Sequence, residues 1–93
     1  MKNDRRSCQG CQARFEEGVA IQYRVWFAQG HDGSIRLAEV QCSDPKEGGL
    51  QDIPTANRRV PPDLTRAWLE LSPGEKGPRY YCAPCFNRLF APA

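Results

Sequence analysis

Two cysteine pairs, Cys8-Gln9-Gly10-Cys11 near one end of the chain and Cys82-Ala83-Pro84-Cys85 near the other, constrain this sequence more than anything else in it. Two residues between paired cysteines let both sulfurs of a tight turn reach one ion at ~2.3 Å, and two such pairs complete the tetrahedral shell that Zn2+ takes. Seventy residues lie between Cys11 and Cys82. A shared metal therefore ties the ends together and makes the intervening chain an insertion. Soft thiolates also suit an iron–sulfur cluster. A redox-dithiol reading expects one such motif in an α/β context, which this chain lacks. The expectation is one structural zinc held by Cys8, Cys11, Cys82 and Cys85.

Length makes such a staple useful. A chain of 93 residues forms one domain, and at that size it buries only about 60–65% of its extended-chain surface. Structural zinc contributes an apparent ~10–16 kcal/mol in small finger peptides, as much as the whole stability of a small domain. The chain is expected to fold only with its metal. Its five cysteines are an odd number, and the opening Met1-Lys2-Asn3-Asp4-Arg5-Arg6-Ser7 has no apolar run behind it to make a signal peptide. Both points argue against a disulfide framework and for a reducing, cytoplasmic setting, or a host cytoplasm if the protein is of phage origin. No segment approaches the roughly 20 apolar residues of a membrane span.

The net charge of +2 is too mild to identify a nucleic-acid partner by itself, but it is unevenly spread. Residues 1–14 carry Lys2, Arg5, Arg6 and Arg14 against Asp4, and residues 72–93 carry Lys76, Arg79 and Arg88 against Glu75. The stretch between is net acidic. If the cysteine pairs meet, the finger becomes a basic patch and the insertion a separate surface.

Periodicity places the elements. After the first pair, Gln12-Ala13-Arg14-Phe15 reads as a turn closing a zinc knuckle over residues 1–18. In residues 19–28, Val19, Ile21, Tyr23, Val25 and Phe27 alternate with Gln22, Arg24 and Trp26, which predicts a strand with the first set facing the core. Gly30-His31-Asp32-Gly33 is a turn, and the return strand to about residue 42 changes phase at Val40, the mark of a bulge or of the strand's end. Residues 43–78 read as a long arm rich in turn formers, interrupted by one helix over about 63–71. There Asp63 is a candidate N-cap, and Leu64, Ala67, Trp68 and Leu71 fall at helical spacing. That helix is expected to lie against the hairpin, since so short a helix has little stability alone. Arg79-Tyr80-Tyr81 predicts a strand leading into Cys82, and Pro84 suits the first turn of a C-terminal helix with Phe86, Leu89 and Phe90 on one side.

Knuckle, hairpin and a helix whose first turn bears two cysteines resemble the treble-clef zinc finger with four cysteine ligands, on Cys8, Cys11, the hairpin at about 19–42, Cys82 and Cys85. The resemblance implies a small α+β zinc-binding domain and leaves residues 43–78 as an insertion longer than such fingers carry. Cys42 reads as a small buried hydrophobe at a strand end, with a swap into the ligand set as its alternative, and His31 as a solvated turn residue.

Four cysteines close the coordination shell, whereas catalytic zinc keeps a position open. No phosphate loop, nucleophile elbow or hydrolase histidine spacing accompanies them. The expectation is a non-enzymatic interaction module, a small regulatory or accessory factor that binds another protein, acting as monomer or homodimer. Tryptophan and arginine are the usual anchors of such surfaces, which makes Arg5, Arg6, Arg14, Trp26, Arg58, Arg59, Trp68 and Arg88 the candidate contacts. For Trp26 the alternative is packing against Trp68. For the function, the alternative is DNA or RNA binding, with the basic ends on phosphates and Trp26 or Tyr80 stacking a base.

Overall fold

The computed structural model describes residues 7–16 and 20–92. Val19, Arg5 and Arg6, which figure in the sequence reading, lie outside the described residues. The chain forms an α+β fold in the order β1 (Gln22–Gln29), β2 (Ile35–Ser43), β3 (Leu50–Asp52), α1 (Pro62–Leu69), a short 3-10 turn (Pro73–Glu75), β4 (Arg79–Cys82) and α2 (Ala83–Leu89). The four strands make one antiparallel sheet in the order β3-β2-β1-β4.

The hairpin β1–β2 is organised as its alternation predicts. Val25 is fully buried, with Tyr23 and Phe27 packed beside it on the core, while Ile21 stands just before the strand and is exposed. The phase change in β2 is a bulge: Trp26 opposes Glu39 and Phe27 opposes Leu37, so Ala38 is the extra residue. That one insertion keeps Ile35 and Leu37 on the same face as Val40 and Cys42, all four of them buried.

The arm is less irregular than its composition predicts. Leu50–Asp52 pairs with Gln41–Ser43 as a third strand, and Ile53 donates its N–H to the Val40 carbonyl at 2.9 Å, carrying the pairing one residue further. Ile53 and Val60 then pack on the core. Strand β3 covers the outer edge of β2 at Gln41–Ser43, and β4 covers that of β1 at Gln22–Val25. Helix α1 begins at Pro62, with Pro61 rather than Asp63 at the N-cap and no side-chain cap. The fixed φ of Pro62 suits the first helical position, and Asp63 falls inside the first turn, where its carboxylate still favours the positive end of the helix dipole.

Both helices cover one face of the sheet. From α2, Phe86 stacks on Tyr23 with ring centroids 4.1 Å apart. Phe90 meets Tyr81 edge-on at 5.2 Å and Phe27 at 5.9 Å. From α1, Leu64 reaches the same cluster. Alternation sends Gln22, Arg24 and Trp26 of β1, Glu39 and Gln41 of β2 and Tyr80 of β4 to the other face, which no described helix covers. Trp26 and Trp68 therefore do not pack on each other. Trp68 lies beside Phe27 and Tyr81 on the core side, and Trp26 lies under the Arg24 guanidinium, 4.8 Å from its ring centroid.

Candidate metal centre

The two ends of the chain meet as the cysteine spacing requires. Cys8 donates its N–H to the Ala13 carbonyl at 2.8 Å and accepts from the Gln12 N–H at 2.9 Å, which folds residues 8–13 into a knuckle with Gln12 at φ 67°. The Gln9 N–H bonds the Tyr80 carbonyl at 2.8 Å and fastens that knuckle to β4. Cys82 ends β4 and serves as the N-cap of α2, and Cys85 sits in the first helical turn. There the free N–H groups and the positive dipole end favour thiolates.

The sulfurs of Cys8, Cys11, Cys82 and Cys85 all lie within 4.8 Å of one another, and those of Cys11 and Cys82 are 3.9 Å apart. Sulfurs at the corners of a tetrahedron with ~2.3 Å metal–sulfur bonds stand ~3.8 Å apart. The set therefore fits a metal ion of the kind a CxxC…CxxC zinc site holds. Cys8 is fully buried, Cys85 nearly so, and Cys11 faces solvent.

Backbone N–H groups prepare the site. Those of Gly10 and Cys82 each donate to the Cys8 sulfur at 3.3 Å. Burial opposes the Cys8 thiolate, but the N–H groups of Cys82, Cys11 and Gly10 outweigh it and bring its pKa down to about 7. Cys85 goes the other way: burial, followed by the neighbouring thiols of Cys82, Cys8 and Cys11, pushes it up to about 12. Cys82 is raised as well, by burial first. Four thiols this close cannot all ionise unless a cation shares the charge. Arg88 supplies a weak contact of that sign, its guanidinium lying 3.7 Å from the Cys85 sulfur.

Among the described residues, Cys42 stands outside the cluster. It faces Tyr23 across β1–β2, and burial raises its thiol pKa, as befits a core residue. His31 is exposed in the β1–β2 turn and is likewise not in the cluster.

The other candidate residues scatter. Arg14, Arg59 and Arg88 are exposed. Arg58 turns inward, donating to the carbonyls of Phe90 at 2.9 Å and Pro54 at 3.1 Å with its guanidinium over the Phe86 ring. Two residues escape the sequence reading. A side chain at Gly10 would put its Cβ 3.0 Å from both the Cβ and the sulfur of Cys85, and the only signal for this is a glycine between two ligands. Arg79 reads as part of a basic patch yet is 6% exposed. Its place two residues from Tyr81, on the same side of a short strand, was the available clue.

Compared with known proteins, the chain matches no family model, no curated protein and no solved structure. Among the described residues, no helix is long and apolar enough to cross a membrane.

Proposed function

We propose that this chain is a non-enzymatic, zinc-stapled interaction module, a small regulatory or accessory factor whose open sheet face binds another protein. Zinc is the metal an all-thiolate tetrahedral set favours, and four cysteines leave it no position for substrate. The observation that carries the binding role is the uncovered face. There Trp26 is half-buried with the Arg24 guanidinium over its ring, and Tyr80 is the direct cross-strand neighbour of Arg24. Aromatic and arginine side chains grouped on a rigid sheet make the centre of a protein interface.

Charge favours protein over nucleic acid on this face. Glu39 opposes Trp26, Asp52 opposes Gln41 at the edge, and the exposed Arg36 opposes Ala28 on the same face, so phosphates would meet two carboxylates beside Arg24 and Arg36, with no excess of positive charge to hold them. Capture from cell extract with the zinc-loaded protein, compared with Trp26→Ala and Trp68→Ala, tests the reading. Partners retained by the native chain and by Trp68→Ala, lost at least roughly tenfold by Trp26→Ala and resistant to nuclease, are the expected result. Nuclease-sensitive binding that collapses steeply with salt would transfer the role to DNA or RNA.

A further inference from the structure

On the core side of the sheet, α1 does not close fully over β1 and β4. A cleft of about 140 Å³ remains, walled by Phe27, Leu64, Trp68, Leu71 and Tyr81, with Arg79 lining it. Arg79 is the one charged side chain that is buried among the described residues. Its two hydrogen bonds run to neutral acceptors, the Glu75 carbonyl at 2.9 Å and the Gly77 carbonyl at 3.4 Å. A guanidinium has five N–H donors, so most of its capacity is uncommitted. The Glu75 carboxylate itself accepts the Ser72 hydroxyl at 2.8 Å and the Ser72 N–H at 3.3 Å.

Two further donors stand at Trp68, which walls the cleft. The Lys76 ammonium lies over the Trp68 ring at 4.5 Å, and the Trp68 indole N–H is buried without a partner. A buried guanidinium whose hydrogen bonds run to carbonyls, with the Glu75 carboxylate acting on it through space alone, regains only part of the hydration it loses. Apolar walls with a few polar groups are the make-up of a small-ligand site, and of the two polar side chains besides Trp68 and Tyr81 that line this one, Gln9 is neutral and Arg79 asks for negative charge. The volume matches an apolar cavity that holds one benzene ring, ~150 Å³.

We propose that the cleft between α1 and β4 binds a small organic acid, its carboxylate taken by Arg79 and its apolar body, the size of one aromatic ring, lying between Phe27, Trp68 and Tyr81. This site is on the opposite side of the sheet from Trp26 and goes beyond the interaction surface proposed above.

The indole N–H signals of the zinc-loaded, 15N-labelled chain test it, with phenylacetate as probe and with acetate and phenylacetamide at matched ionic strength as controls. Phenylacetate is expected to move the Trp68 signal saturably, with Kd below ~10 mM, and to leave Trp26 in place. Acetate and phenylacetamide are expected to bind at least tenfold more weakly, one lacking the body and the other the charge. Arg79→Gln reduces phenylacetate binding to the phenylacetamide level. If that variant does not fold, Ala67→Leu fills the cleft from an exposed position of α1 and abolishes binding with the fold kept. Equal binding of phenylacetate and phenylacetamide, no saturable Trp68 shift, or undiminished binding by Ala67→Leu overturns the proposal. Tighter binding of a peptide ending in a free-carboxylate phenylalanine overturns the small-acid reading in favour of a protein C-terminus.

Discussion

Gly10 occupies a position where no side chain fits without moving a metal ligand. Its N–H supports the Cys8 thiolate while its missing Cβ leaves room for Cys85. Gly10→Ala should therefore lower metal affinity by roughly 10–100-fold, the scale of damage to groups that orient ligands, measured by competition with a chromophoric chelator. Unchanged affinity would show that the knuckle yields freely. Neighbouring arginines separate in the same residue-by-residue way. Arg58 joins the arm to the end of α2 through two carbonyls and the Phe86 ring, whereas Arg59 is exposed. Arg58→Ala is expected to cost about 1–3 kcal/mol in urea unfolding of the metal-loaded chain, because two carbonyls lose a charged donor. Arg59→Ala should stay within about 0.5 kcal/mol, as for an ordinary surface change. Equal losses in the two variants would remove Arg58 from the framework.

At the scale of elements, the bulge in β2 permits a counter-intuitive test. Ala38 is extra to the pairing, so deleting it leaves Leu37 opposite Phe27 and Glu39 opposite Trp26 in unbroken alternation. A chain lacking Ala38 should fold, bind metal and keep Val40 and Cys42 inside, whereas deleting Gln41 turns Cys42 outward and breaks the pairing with β3. Amide spectra of the two variants decide the matter, and an unfolded Ala38 deletion would mean that the added twist is itself required. The same strand shows what the sequence discloses. Period-two alternation made β1 and β2 legible, and the broken phase at Val40 announced the bulge. The spacing of Leu64, Ala67, Trp68 and Leu71 made α1 legible, though not its start at Pro62. Strand β3 was hidden, since all three of its residues are exposed and nothing local alternates. Its place is fixed by the free edge of β2, a tertiary fact. Arg79 was hidden for the same kind of reason, because its burial depends on α1 and the 3-10 turn closing over β4, which no local pattern states.

At the scale of the whole molecule, the metal site is where distant parts of the chain are joined, the knuckle at residues 8–13 against β4 and α2. Without a cation the fold must hold four crowded thiols, and their ionisation shows the cost. Cys82 and Cys85 keep their protons at neutral pH, Cys85 up to about 12, while Cys8 loses its own near 7. Entry of a divalent metal must then expel at least the protons of Cys82 and Cys85 at neutral pH, and that of Cys8 as well once the pH falls below about 7. The sign is fixed: protons compete with the metal, so affinity falls as pH falls, about a hundredfold per pH unit for two displaced protons and more steeply below the Cys8 pKa. Because the core of so short a chain is marginal, loss of metal should unfold it. Far-ultraviolet circular dichroism and metal release, followed together from pH 8 to pH 5, should then trace one coincident transition, and chelator at pH 8 should reproduce its end point. Calorimetric titrations in buffers of different protonation enthalpy count the released protons directly. A count below two at neutral pH, or a chain that keeps its circular dichroism after complete metal removal, would mean that the core formed by Val25, Tyr81, Phe86 and Phe90 holds the fold without the staple.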